Sequence, residues 1–190
     1  MELTRGRSRW PAPKAAEPSA GLDTGPEADP ESVARKILLD QLTGRARTRS
    51  ELADKLAGRN VPDDVAGRPL DRFEEVGLID DAAFAREWVA QRQSGRGLAR
   101  RALAQELKRK GIEDDVAREV LDDIEDDDEV EAARRLVRAK LRSVGNLDHD
   151  KAMRRLVGML ARKGHSSGVA YRVVKEELRS DLELEEPELG

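Results

Sequence analysis

Glu106-Leu107-Lys108-Arg109-Lys110-Gly111-Ile112-Glu113-Asp114-Asp115-Val116-Ala117 reads as the end of one helix, a tight turn and the start of another. Gly111 is the residue type that tolerates the left-handed conformation at a helix C-terminus. The acidic residues after Ile112 complement the positive end of a new helix dipole. The pattern occurs twice more, in Lys55-Leu56-Ala57-Gly58-Arg59-Asn60-Val61-Pro62-Asp63-Asp64-Val65-Ala66 and in Met159-Leu160-Ala161-Arg162-Lys163-Gly164-His165-Ser166-Ser167-Gly168-Val169-Ala170. The leucine, the turn residue and the Val-Ala pair coincide, as do Leu52, Leu103 and Leu156 one turn earlier. Offsets of about fifty residues lie near the periods of stacked helical repeats. New helices are expected to start at Pro62, Glu113 and Ser166, where Pro suits a first helical position and Ser an N-cap. The third copy departs by placing His165 in the apolar position between its helices, and a buried packing role is expected there.

Working outward, each copy has a further helix upstream. The first spans about Glu31 to Leu42, with Val33, Ile37, Leu38 and Leu42 on one face. The second follows Asp80-Asp81, which can cap it, and carries Phe84 and Trp88 at i, i+4. The third begins near Glu129 and carries Ala133, Leu136, Val137 and Leu141. The last helix of a unit shows an apolar stripe at Val116, Val120, Leu121 and Ile124, repeated at Val169, Val173, Val174 and Leu178. The reading is all-α: three tandem three-helix repeats, over residues 30–79, 80–127 and 128–180, stacked as an elongated, curved array in which each unit mainly touches its neighbour. Residues 1–29, with Pro11, Pro13, Pro18 and Pro26 and no apolar periodicity, read as a disordered arm. Residues 181–190 read as an acidic tail that frays. Gly67-Arg68-Pro69 falls where the third helix of the first unit should run, so a short turn and a restarted helix from Pro69 to Val76 are expected.

Composition excludes several function classes. The chain has no cysteine, which removes disulfides, thiolate metal sites and cysteine nucleophiles. No apolar run approaches a membrane span, and Arg5, Arg7 and Arg9 are followed by no hydrophobic segment, so a cytoplasmic protein without a membrane partner is expected. There is no phosphate-loop, H-E-x-x-H or G-x-S-x-G motif. Gly95-Arg96-Gly97-Leu98-Ala99-Arg100 lacks the third glycine and preceding strand of a dinucleotide fingerprint and reads as a helix-helix turn. The run Asp122-Asp123-Ile124-Glu125-Asp126-Asp127-Asp128-Glu129 lacks the ligand alternation and glycine of a calcium loop and reads as a solvated link. The expectation is therefore a protein that is not an enzyme and carries no catalytic residue, cofactor or metal.

The formal net charge of −4 conceals blocks of opposite sign. Residues 86–110 and 134–163 are basic; 113–131 and 176–188 are acidic. At about 100° per residue, Arg101 and Lys108 fall opposite the inward Leu103 and Leu107. Arg135, Arg138 and Arg142 lie away from Leu136, Val137 and Leu141, while Lys151, Arg155 and Arg162 share a face away from Leu156, Val157 and Leu160. These faces carry almost one sign, and they are the candidate surface for phosphates or an acidic partner.

Ser50-Glu51-Leu52-Ala53-Asp54-Lys55-Leu56 and Leu70 to Ile79 also read like a winged-helix DNA-binding domain, but Ala82 to Arg92 has helical spacing where a β-hairpin wing is required. A helical-repeat adaptor is a further alternative. Gly77-Leu78-Ile79-Asp80-Asp81-Ala82-Ala83-Phe84-Ala85, with Glu106-Leu107-Lys108-Arg109-Lys110-Gly111-Ile112 after it, closely resembles the RecX family of recombination regulators, and the likeness extends over about residues 31–178. The resemblance implies three tandem three-helix units in a curved molecule that lodges along the groove of the RecA filament. It implies inhibition of recombinase, ATPase and coprotease activities, with roles in DNA repair, homologous recombination and the SOS response. It also implies weak direct binding to single- or double-stranded DNA. A monomer is expected, and no catalytic residues carry over.

Overall fold

The computed structural model describes residues 29–185. They form α1 (Pro30–Leu42), α2 (Arg49–Ala57), α3 (Asp63–Glu75), α4 (Asp81–Arg96), α5 (Arg100–Arg109), α6 (Asp114–Asp122), α7 (Asp126–Leu141), α8 (His149–Arg162) and α9 (Ser167–Glu185). No strand occurs among the described residues, which removes the winged-helix reading. The helices group in threes, each group around its own core. Leu38, Leu52, Leu56 and Phe73 centre the first, Leu103, Leu107 and Val120 the second, and Val137, Leu156, Leu160 and Val173 the third. A fully buried leucine contributes roughly 1.5–3 kcal/mol relative to exposure, so each unit leans on its inward leucines. The expected arm lies almost wholly in residues 1–28, and the end of the acidic tail in 186–190, both outside the described residues.

The three repeated turns are built alike. Asn60, Gly111 and Gly164 adopt φ of 57°, 73° and 89°. In each, the next residue's N–H donates back to a leucine carbonyl: Val61 to Leu56 at 3.1 Å, Ile112 to Leu107 at 3.2 Å and His165 to Leu160 at 3.2 Å. This closure satisfies carbonyls that a helix end otherwise leaves unpaired. The residue after each turn is buried, and His165 at 4% exposure takes the place held by Val61 and Ile112. Pro62 and Glu113 are the N-caps of α3 and α6, and the Val169 N–H donates to Ser166 Oγ at 3.2 Å.

Local expectations fail at three places. First, α3 runs unbroken through Gly67-Arg68-Pro69, without the expected break. Pro69 has no N–H to give the Val65 carbonyl, which costs a helix interior about 3 kcal/mol. Here, however, Ala66, Pro69, Leu70 and Phe73 form one buried stripe whose packing offsets the lost bond. Second, Val33 is 40% exposed, and the inward face of α1 is Ala34 and Leu38. Third, α7 starts at Asp126, so the second half of the acidic run is a helical first turn and not a link.

Successive units join by a repeated device. The C-terminal turn of each middle helix seats on the N-terminus of the preceding unit's middle helix, so α8, α5 and α2 meet tail to head. The Thr48 hydroxyl, fully buried at the N-cap of α2, accepts from the Glu51 N–H and donates to the Lys110 carbonyl at 2.7 Å. At the next junction the Ala99 N–H donates to the Lys163 carbonyl at 3.0 Å. The negative end of one helix dipole thus meets the positive end of another. An acid from the incoming unit completes each joint. Asp81 accepts from the Arg49 N–H at 2.9 Å, and Asp126 and Glu129 take the Arg100 guanidinium. Thr48→Val is expected to lose both the cap and the junction bond, costing about 1–2 kcal/mol in thermal or urea unfolding. Thr48→Ser should retain most of the stability; equal loss in both would show that the hydroxyl is not the group that matters.

An aromatic latch reinforces the first junction. Phe84 and Trp88 stack with ring centroids 5.7 Å apart, and the Arg92 guanidinium lies 4.0 Å from the Trp88 centroid. Trp88 Nε1 and Arg92 Nε both donate to the Glu106 carboxylate, at 2.9 and 3.0 Å. Lys110, 4.7 Å from the Trp88 ring, pairs with Glu51 of the first unit at 2.6 Å.

His165 lies at the second junction. Its Nε2 lies 3.1 Å from the Gly97 carbonyl, which can only accept, so Nε2 carries the proton. Buried Nδ1 has no hydrogen-bond partner and stands 3.9 Å from the Glu129 carboxylate. Burial holds the His165 pKa below its ordinary value, against the raising influence of the Gly97 carbonyl and Glu129; Lys163 acts in the same direction as burial. The unfolded chain therefore binds a proton that the folded chain resists, and this contribution to stability is lost as pH falls through the ordinary histidine value near 6.5. The thermal midpoint should fall between about pH 7.5 and 5.5, and His165→Gln should flatten that slope. An unchanged slope in the variant would remove His165 as its source.

Candidate functional site

Arg101 and Lys108 on α5, and Arg155 and Arg162 on α8, are each seven residues apart, two helical turns, so each pair presents on one face. All of the candidate cations, Arg101, Lys108, Arg135, Arg138, Arg142, Lys151, Arg155 and Arg162, are exposed, as their helical phase requires. Their surroundings divide them.

Arg101 and Lys108 line an open pocket of about 500 Å³ between α5 and α6. Its apolar wall is Ala104, Ala117 and Leu121, and its rim adds Arg100 and Arg118 but also Asp114 and Asp122. Arg155 and Arg162 line a smaller pocket of about 270 Å³ against the end of α7, together with Lys140, Ser143, Val144, Leu156 and Met159. Arg135 on α7 and Arg142 at its C-cap are exposed and make no ion pair within the described residues.

Two candidates are engaged by the fold itself. Arg138 gives two hydrogen bonds to Glu177, from Nε at 2.7 Å and Nη2 at 3.0 Å, and Glu177 is buried at 6% exposure. The hydrogen bonds and charge of Glu177 raise the Arg138 pKa above its ordinary value. Lys151 pairs with Asp148 at 2.7 Å; its hydrogen bonds are the main cause that lowers the Asp148 pKa. Lys140, Arg100 and Arg118 were not among the candidates. Lys140 sits at the flank of its helix, and only the packing of α8 beside α7 brings it to Arg155 and Arg162. Arg118, the lone cation of the acidic block 113–131, was a visible signal.

The arrangement offers cationic, partly concave surface. Among the described residues no group of three or more His, Asp or Glu side chains is placed to hold a metal ion, and no helix is long and apolar enough to cross a membrane.

Comparison with known proteins matches this architecture unit by unit. The family models for the first, second and third three-helix domains of RecX match residues 34–73, 80–121 and 126–174. The regulatory protein RecX of Streptomyces lividans is 52% identical over 158 residues, covering 83% of this chain and 84% of that protein. The regulatory protein RecX of Thermobifida fusca is 46% identical over 172 residues, covering 87% and 93%. The crystal structure of RecX from Lactobacillus salivarius superposes with a TM-score of 0.73 over 78% of this chain and 97% of that one; at 23% identity it speaks for the fold. With all three domains present in order and relatives this similar over most of their length, the chain belongs to the RecX family.

Proposed function

We propose that this chain is a regulatory protein that binds the RecA recombinase filament on DNA and lowers its recombinase, ATPase and coprotease activities by occupancy, without chemistry of its own. The observation that carries the reading is the ordered match of all three units to RecX domains, joined to relatives named regulatory protein RecX. Exposed cations on the second and third units support it, because a filament of protein on DNA presents phosphates and acidic side chains to such faces. Arg101, Lys108, Arg135, Arg142, Arg155 and Arg162 are the residues assigned to that contact, with Arg138 and Lys151 at its margin. The protein acts in the cytoplasm, as a monomer, and its direct affinity for DNA is weak.

The test is RecA ATPase and strand exchange on single-stranded DNA, with the full chain titrated in below one molecule per RecA. Inhibition at substoichiometric ratios is expected. If both activities are untouched, the regulatory reading fails and a helical-repeat adaptor takes its place.

A further inference from the structure

The residue after the repeated turn is Ile112 at the first junction and His165 at the second, each buried at 4% exposure. The second junction therefore has a titratable group where the first has none. There the third unit clasps the turn that leads into α5. The Lys163 carbonyl accepts from the Ala99 N–H at 3.0 Å, and Lys163 Nζ donates to the Arg96 carbonyl at 2.7 Å. His165 Nε2 donates to the Gly97 carbonyl at 3.1 Å. Gly97, at φ of 61°, lies so close to α7 that an added Cβ would meet Leu136 Cδ1 at 2.8 Å. The charge around the imidazole is already allotted. Nδ1 faces Glu129 of α7 at 3.9 Å, too far for a hydrogen bond. The other oxygen of that carboxylate stands 3.5 Å from Arg100 Nε of α5, and Asp126 of α7 pairs with the same guanidinium. Lys163 of α8 places a further cation near the ring. A proton on Nδ1 would add one more positive charge on a fully buried side chain, which is costly without a partner. Glu129 can serve as that partner only by moving away from Arg100; otherwise the imidazole must leave the junction for water. Either outcome loosens the same clasp.

We propose that His165 is a proton-operated catch: when Nδ1 is protonated, the third unit comes off the Arg96–Ala99 turn of the second, while the first junction stays shut. The open form binds the proton that burial, with Lys163, resists in the closed form. Opening also ends the fixed spacing between the cations on α5 and those on α7 and α8, so a partner that grips both units is held only while the catch is neutral. That consequence rests on the reading of those faces as a contact surface; the catch does not, and it is tested without RecA. The Ala99 amide is the reporter, because its bond to Lys163 spans the junction. Its hydrogen exchange would be followed by NMR in the full chain and corrected for the intrinsic pH dependence of exchange. Protection should fall about tenfold from pH 7.5 to 5.5, the limit set by an ordinary histidine value near 6.5. Ala99 should exchange faster than the core amides of α5 and α8 at both pH values, which marks opening of the junction and not unfolding of a unit. The Arg49 amide, bonded across the first junction to Asp81, should keep its protection. His165→Gln retains a donor for Gly97 without the titration, so Ala99 protection should become flat, while His149→Gln at an exposed site leaves the response unchanged. Protection of Ala99 that is flat in the parent, that falls equally in His165→Gln, or that matches the unit cores overturns the proposal. Should His165→Gln fail to fold, the parent decides: the chain has two histidines, and a His165 ring signal that titrates at or above that of His149 overturns the catch.

Discussion

Replacing Gly164 with alanine is expected to lower stability by about 2–4 kcal/mol and the thermal midpoint by roughly 10 °C. Gly164 has φ of 89°, where an L side chain is strained, and an added Cβ would lie 2.7 Å from both the backbone nitrogen and the Cβ of Ala102. The obstacle is the first turn of α5, not the tip of a flexible side chain, so the second junction must open or α5 must shift. Gly168 supplies the matched control: it lies in α9, and an added Cβ would meet nothing within 4 Å. Gly168→Ala should be neutral or stabilising by up to about 1 kcal/mol through helix propensity. Units that touch only their neighbours can unfold in pieces. Hydrogen exchange across α5 and α8 should therefore show where protection is lost. If Gly164→Ala melts like the parent, the close seating of that turn does not exist in solution.

Reversing Arg135, Arg142, Arg155 and Arg162 to Glu together should raise the concentration needed for half-inhibition of RecA ATPase by tenfold or more. The estimate follows from charge-assisted contacts of about 1.5–3 kcal/mol each, discounted for exposure and salt. Stability should change little, because the four are exposed and unpaired within the described residues. Arg138 is left out on purpose. A glutamate there would face buried Glu177 and test folding, not binding. Reversing Arg5, Arg7 and Arg9 is the control of similar charge away from the repeats. Any direct affinity for DNA should fall steeply with salt, since phosphate contacts release counterions. A folded quadruple variant that inhibits as well as the parent would reduce these faces to solvated surface.

How far the chain could be read beforehand depended on whether the deciding interaction was local. The turns at Asn60, Gly111 and Gly164 were legible because a left-handed residue, a preceding leucine and a following apolar position all lie within a few residues. The exposure of the candidate cations was legible because helical phase alone sets it. Pro69 misled because the rule against interior proline is local, whereas the packing of Ala66, Leu70 and Phe73 against α1 and α2 is not. The start of α7 was placed late because Asp126 and Glu129 are held by Arg100, on another helix. The same limit divided the site. No periodicity reveals that Arg138 is claimed by a glutamate 39 residues on, or that Lys140 stands beside Arg155 and Arg162.

The tail-to-head joints have an ending written into them. The first two middle helices open with Thr48 and Ala99, which offer a hydroxyl and an N–H to the arriving carbonyl, and with the small Ser50 and Ala102 under the arriving glycine. The third middle helix opens with Asp148, whose carboxylate accepts from the Lys151 N–H at 3.0 Å, followed by charged Asp150 and Lys151. An arriving helix end would bring its negative pole to a carboxylate and its glycine to a bulky, charged seat. The small, donating seat that receives a helix end at Thr48 and Ala99 is replaced at the third middle helix by a carboxylate that would repel one.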